Sequence, residues 1–171
     1  MRKFIYYGVL IVLLTMFGNL SMAQLSVGVL DQTYTVDFDN TVEGVNNGTF
    51  AGIGFNPNPA EGQIDSDAVK VFGLSDSPMM NFGDTQEAGD FARGTTAGGV
   101  STGGIYAGEY SSSPSDYFFM WQAGSSDMAA GMIMLKVQNN TGEEVTSVEI
   151  AYDILCLNDQ GRSNSVMFYW S

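Results

Sequence analysis

The chain has 171 residues, a formal net charge of −13 and no histidine. Without imidazole, Ser-His-Asp catalysis, Cys-His catalysis and the usual zinc sites are excluded. The negative charge repels nucleic-acid phosphates and anionic membranes, so neither is an expected partner of this domain. The single cysteine, Cys156, excludes a disulfide within the chain, and its apolar neighbours predict a buried, unreactive thiol.

Residues 1–23 have the features of a secretory signal peptide. Two basic residues precede an apolar run over residues 5–17, which is shorter than the roughly 20 residues that span a bilayer. Ser21 and Ala23 supply small side chains three and one positions before a cut. We therefore expect a secreted or outer-cell-surface protein whose mature part, residues 24–171, has no transmembrane segment. An uncleaved membrane anchor is the alternative.

The mature part has the pattern of a single all-β domain. Short β-branched and aromatic runs alternate with turn residues, and no amphipathic helix is predicted. The clearest feature is a predicted hairpin of residues 132–138 and 145–155. In its second strand, apolar residues alternate with mostly polar ones and predict one buried face; they are Val148, Ile150, Tyr152 and Ile154.

The hairpin and the other predicted strands make a set of the size found in a β-sandwich. We predict an antiparallel β-sandwich of the jelly-roll or lectin-like kind. Because the last predicted strand is apolar and no turn follows it, the domain is expected to be truncated at its C-terminal end. The other strands are predicted at residues 33–38, 69–72, 104–110, 117–122 and 165–170.

Two pairs of aspartates are candidate metal ligands. Asp65 and Asp67 are two positions apart, as are Asp37 and Asp39, so each pair could contribute oxygens to a structural Ca²⁺ ion. Calcium takes six to eight oxygen ligands, and no complete calcium loop is present. The alternative is that these aspartates form turns or lie on a solvated face.

A second candidate site is the polar connection between two apolar stretches near the C-terminus. Its amides, carboxylate and guanidinium could bind the hydroxyl groups of a sugar, or they could hold the turn itself. These candidate binding residues are Asn158, Asp159, Gln160, Arg162 and Asn164. Further upstream, a structural contact between Asp90 and Arg93 is expected rather than an anion site.

Five ordered motifs lie at residues 62–68, 89–94, 98–107, 137–142 and 158–164. Together they resemble the N-terminal β-sandwich module of large secreted proteins of the Bacteroidota. The resemblance implies a lectin-like or jelly-roll domain in a protein exported by type IX secretion. It also implies lamin-tail-like, adhesive or nuclease domains downstream, and it carries no catalytic residues to this chain.

Together these features predict a non-catalytic binding or spacer module for a polysaccharide or cell-surface ligand. An alternative is an accessory or catalytic domain of an extracellular polysaccharide hydrolase or nuclease. A purely structural adhesin domain is a third. For the leading prediction, any enzymatic activity of a longer protein would lie outside these residues.

Overall fold

The computed structural model describes residues 24–110, 112–156 and 165–171. Strands and one short 3₁₀ helix, Gly89–Phe91, make up the regular structure of these residues. The all-β prediction is therefore confirmed. The strands are β1 Leu25–Val27, β2 Asn46–Asn47, β3 Phe55–Asn56, β4 Gln63–Asp65, β5 Val69–Phe72, β6 Thr95–Thr96, β7 Gly104–Tyr110, β8 Ser113–Gln122, β9 Met132–Leu135 and β10 Val137–Asn139.

The strands form four small sheets, in the orders β1-β10, β2-β4-β3, β5-β9 and β6-β7-β8. The longest ladder is the antiparallel β7–β8 pair, whose register runs from Gly104 opposite Gln122 to Glu109 opposite Tyr117. β4 lies between an antiparallel neighbour, β2, and a parallel neighbour, β3. The jelly-roll arrangement of these sheets stays a prediction.

An aromatic cluster forms the centre of the core. Phe50, Phe55 and Phe91 are fully buried, and Phe38 and Phe119 pack against them from the partly buried layer. The ring centroids of Phe55 and Phe91 are 5.9 Å apart in an edge-to-face contact. Burial of each such ring contributes about 1.5–3 kcal/mol to stability. Apolar residues from β4, β5 and β7 complete this core.

The predicted hairpin of residues 132–138 and 145–155 is wrong in its pairing. β9 pairs antiparallel with β5, and β10 pairs parallel with β1. The chain is therefore divided at Lys136, whose amide donates to Ala68 and whose carbonyl accepts from Leu25. Strands from the N-terminal half thus supply the pairing that the sequence pattern assigned to residues 145–155.

The segments after residue 144 differ most from the predictions. Residues 145–156 and 165–171 form no strand, and the alternating residues Val148, Ile150, Tyr152 and Ile154 are 53–73% exposed. Residues 165–170, predicted as a buried strand, are exposed as well. Cys156 is also exposed, which corrects the predicted burial of its thiol. These segments lack the strand partner that would have buried one face.

One further predicted strand is not formed. Residues 33–38 have no ladder, although Val36 and Phe38 still pack against the core. The predictions for residues 69–72 and 104–110 are confirmed as β5 and β7, and residues 117–122 lie within β8. Apolar alternation thus predicted β5, β7 and most of β8 correctly. It also predicted strands in segments that form no ladder.

Candidate functional site

The candidate site lies at one end of the β2-β4-β3 sheet, where Asp65 ends β4. The Asp65 amide donates to the Val45 carbonyl at 2.7 Å, which fixes the end of β4 against the turn before β2. That turn depends on Gly44, whose φ of 75° is in the left-handed region. A Cβ atom at this position would collide with the backbone of Gln24, so glycine is required.

An open pocket of about 330 Å³ lies beside Asp65. This volume is at the lower end of the range of small-molecule sites, about 300–1,000 Å³. Val45, Gly44 and Pro59 supply its remaining walls, and no aromatic residue lines it. The polar lining consists of one hydroxyl, three amide and two carboxylate side chains: Thr41, Glu43, Asn46, Asn47, Asn58 and Asp65.

Side-chain hydrogen bonds hold the loop that carries Asn58. The Asn47 amide donates to the Pro59 carbonyl at 2.9 Å, and the Asn58 backbone amide donates to Asn56 Oδ1 at 2.8 Å. The Ala60 amide donates to Gln63 Oε1 at 2.9 Å. Because both sides of the loop are tied to the sheet, the pocket wall is formed before any ligand arrives.

Glu87 contacts side chains of both strands that flank this loop. Its Oε1 accepts hydrogen bonds from Gln63 Nε2 at 2.9 Å and from Asn56 Nδ2 at 2.8 Å. The Gln63 bond, followed by the Asn56 bond, lowers the pKa of Glu87, because both donors stabilise the charged carboxylate. Glu87 is therefore an ionised link between β3 and β4.

Asp65 is the most deeply buried acidic residue of the pocket, with 4% of its surface exposed. Its Oδ1 accepts a hydrogen bond from the Asp67 amide at 2.8 Å. Burial raises the pKa of Asp65, and the charge of Asp67 acts in the same direction. Backbone donors and the charge of Lys136 oppose this rise without cancelling it. Asp65 is thus a carboxyl group whose ionisation is made costly by its site.

Asn46 has an unusual hydrogen-bond pattern in the same region. Its Nδ2 donates to the carbonyls of Asn40 and Gly48, both at 2.6 Å, which fixes the orientation of the amide. Its Oδ1 is buried and accepts no hydrogen bond. A buried acceptor left in this state costs about 1–3 kcal/mol.

The four predicted calcium ligands are not brought together in this pocket. Only Asp65 lines it. Asp37 Oδ1 accepts from the Asp39 amide at 3.2 Å, and Asp39 Oδ1 accepts from the Tyr117 amide at 2.6 Å. In the described part of the chain, no group of three or more acidic or cysteine side chains is arranged to hold a metal ion. Each pair forms an Asx-type turn, and a calcium ion stays a prediction.

The predicted sugar-binding connection cannot be placed against the pocket. Its residues, Asn158, Asp159, Gln160, Arg162 and Asn164, lie outside the described residues.

A second polar cluster surrounds Asp90, which is 3% exposed. Asp90 Oδ2 accepts from Ser75 Oγ at 2.7 Å and from the Asp76 amide at 2.9 Å, while Oδ1 pairs with the Arg93 guanidinium. Asp127 joins the cluster by accepting from the Ser75 amide at 2.8 Å. The predicted contact between Asp90 and Arg93 is confirmed.

The donors around Asp90 decide its ionisation. Burial by itself would raise the pKa of this carboxyl, but the hydrogen bonds from Ser75 Oγ and the Asp76 amide and the charge of Arg93 together lower it. The cluster has no place in the pocket lining. We interpret it as a structural clamp that joins the 3₁₀ helix to two loops.

Sequence reasoning identified one of the polar pocket residues, Asp65, and missed the others. The missed residues lie in β2, in the segment before it and in the loop after β3, and asparagine is the residue type that recurs among them. Comparison with protein-family models, with curated proteins and with solved structures finds no match to this chain. No helix within the described residues is long and apolar enough to cross a membrane.

Proposed function

We propose that this protein is a non-catalytic, secreted or cell-surface binding module that takes a sugar unit of a polysaccharide in the Asp65 pocket. The observation that carries the proposal is the polar lining of a preformed pocket. Asparagine side chains both donate and accept hydrogen bonds, and carboxylates accept them, which matches the mixed donors and acceptors of sugar hydroxyl groups. Secretion and a lectin-like sandwich, both predicted from the sequence, agree with this role.

The fixed loop favours binding. Ordering a flexible loop costs free energy on association, and a loop already tied by hydrogen bonds avoids most of that cost. The Asn47–Pro59 and Ala60–Gln63 bonds hold the backbone. The Asn58 side chain makes no hydrogen bond to another described residue, so it is free to contact a ligand.

A glycan panel tests the proposal. The purified protein is expected to bind at least one neutral oligosaccharide saturably, and Asn58→Ala is expected to weaken that binding because it removes a free amide from the pocket. Asn81→Ala is the matched control, since Asn81 is another exposed loop asparagine outside the pocket. Equal binding by both variants would reject the pocket as the glycan site, and no saturable binding to any glycan would favour the structural adhesin.

A structural Ca²⁺ ion is a separate part of the proposal and has its own test. If a Ca²⁺ ion is bound to the native state only, removing it lowers the melting temperature. We expect a chelator to lower the melting temperature, and added calcium to restore it. An unchanged melting temperature would remove calcium from the proposal and leave the pocket intact.

One observation favours a second candidate, the polysaccharide hydrolase. Glu43 and Asp65 line the same pocket, and burial raises the pKa of Asp65. Glycoside hydrolysis uses two carboxyl groups on either side of the scissile bond, and a raised pKa suits the one that acts as the acid. Release of reducing ends from a bound glycan, lost in both Glu43→Gln and Asp65→Asn, would replace the non-catalytic proposal with this one.

A further inference from the structure

Two lysines converge on one aromatic ring on the face next to the β5–β9 ladder. The Nζ atoms of Lys70 and Lys136 each lie 4.6 Å from the ring centroid of Phe82. Lys70 Nζ also lies 4.8 Å from the ring centroid of Phe72. The two ammonium groups therefore cannot be further apart than twice their distance to the Phe82 ring. We call Lys70, Lys136, Phe72 and Phe82 the lysine pair site.

Neither lysine of this site has a carboxylate at ion-pair distance among the described residues, although the charge of Lys136 reaches Asp65. The ion pair found within the described residues joins Arg93 and Asp90, and neither lysine takes part in it. This is unexpected in a chain with 19 acidic and six basic residues. The attraction of each ammonium to the ring face holds it in place.

Like charges repel each other, and an anion that contacts both ammonium groups relieves that repulsion. Each lysine ammonium has three donors, and neither ammonium donates a hydrogen bond to a described residue. Both side chains are partly exposed, so a ligand can reach them. The aromatic ring fixes the position of the two charges before the ligand arrives.

The charge of the rest of the protein restricts the kind of anion. A net charge of −13 repels a densely charged polymer at long range, while two local ammonium groups attract one anionic group at short range. We propose that the lysine pair site binds a single carboxylate group on an otherwise uncharged ligand. The identification of that ligand as a uronic acid unit in a mainly neutral glycan rests on the proposed function.

The lysine content of the chain makes a direct test practical. The chain has three lysines, Lys3, Lys70 and Lys136, so selective ¹³C labelling of lysine gives very few signals. The Cε signals of Lys70 and Lys136 are expected upfield of their ordinary position because of the Phe82 ring. Glucuronate should shift both signals saturably, and glucose at the same concentration should not. Added salt should weaken the response.

Variants and smaller anions separate the two parts of the inference. Lys70→Met with Lys136→Met should abolish the glucuronate response of the Phe82 amide signal, whereas Lys70→Arg should keep it and so controls for folding. If acetate binds as well as glucuronate, the anion site holds and its assignment to a sugar acid is overturned. If neither anion gives a saturable shift, the lysine pair site is overturned, while binding of neutral oligosaccharides would still support the proposed function.

Discussion

Asp65 and Asp90 are both almost fully buried, yet their surroundings act on the carboxyl pKa in opposite directions. Asp90 has a guanidinium, a hydroxyl and a backbone amide as donors, and its pKa is lowered. Asp65 has the Asp67 amide and a second acidic residue nearby, and its pKa is raised. The same residue type is therefore stabilising at one position and costly at the other.

This difference separates a structural carboxylate from a candidate functional one. A buried charge that is fully satisfied is explained by the contacts it makes. A buried carboxyl with too few donors, beside a pocket and close to an amide oxygen that accepts no hydrogen bond, is explained better by a ligand that supplies the missing donors. The comparison thus points to the Asp65 pocket and away from the Asp90 cluster.

The largest expected effect is the loss of the Asp90 cluster. Arg93→Met leaves the buried Asp90 carboxylate without its ion-pair partner, and we expect it to lower the free energy of unfolding by about 3 kcal/mol. Urea unfolding measures the change. Lys70→Met is the matched control, because it removes a cation that contacts rings only and should cost less than about 1 kcal/mol. Equal losses of unfolding free energy in the two variants would show that the Asp90–Arg93 ion pair stabilises the fold no more than the lysine–ring contacts do.

The Asp90 cluster should also lose its contribution in acid. The folded-state pKa of Asp90 lies below its ordinary value of 3.8, so its stabilising effect is complete above pH 3.8 and is lost as the pH falls through the folded-state pKa. Wild type should therefore be more stable than Asp90→Asn at neutral pH, and the difference should shrink below pH 3.8. Unfolding curves across this range measure it. A constant difference would contradict the lowered pKa.

Asp65→Asn is expected to do the opposite and to have a smaller effect. The folded-state pKa of Asp65 lies above its ordinary value of 3.8, so its cost is complete above the folded-state pKa and disappears as the pH falls through it. At neutral pH the variant should be more stable by about 1 kcal/mol, since asparagine keeps Oδ1 as an acceptor without the charge. In strong acid the two proteins should be equally stable. If the variant is less stable than wild type at neutral pH, the ionised Asp65 carboxylate is not costly, and its contrast with Asp90 is contradicted.

The smallest expected effect concerns Glu87, an exposed residue that contacts β3 and β4 of the same sheet. The Gln63 and Asn56 amides lower its pKa, so replacing Gln63 by Met should move that pKa back toward the ordinary value of 4.5. Carboxyl ¹³C titration measures the shift. Asn81→Ala, which leaves both donors in place, should not move it.

The local features of this protein could be predicted from the sequence, and the distant pairings could not. β5 and β7 were predicted at their observed bounds because alternation and β-branched residues are local signals. The Asp90–Arg93 contact spans only three positions and was predicted for the same reason. β9 and β10 were expected to pair with the next apolar run, but their partners come from β5 and β1.

The candidate site shows the same division. Asp65 was a candidate because two aspartates lie close together in the sequence. Asn46 and Asn58 were not, since only the pairing of β2 with β4 and the fold of the loop after β3 bring them to Asp65. The unsatisfied Oδ1 of Asn46 follows from packing, and composition contains no signal for it.

The pairing of β1 with β10 also has a consequence for the order of folding. Asn140 Nδ2 donates to Ser26 Oγ at 2.7 Å across 114 positions of the chain, next to the parallel ladder of the two strands. Closing so long a loop costs more entropy than closing the β7–β8 hairpin, and such contacts slow folding. We therefore expect the first strand of the domain to pair late in folding, after the β7–β8 hairpin has formed.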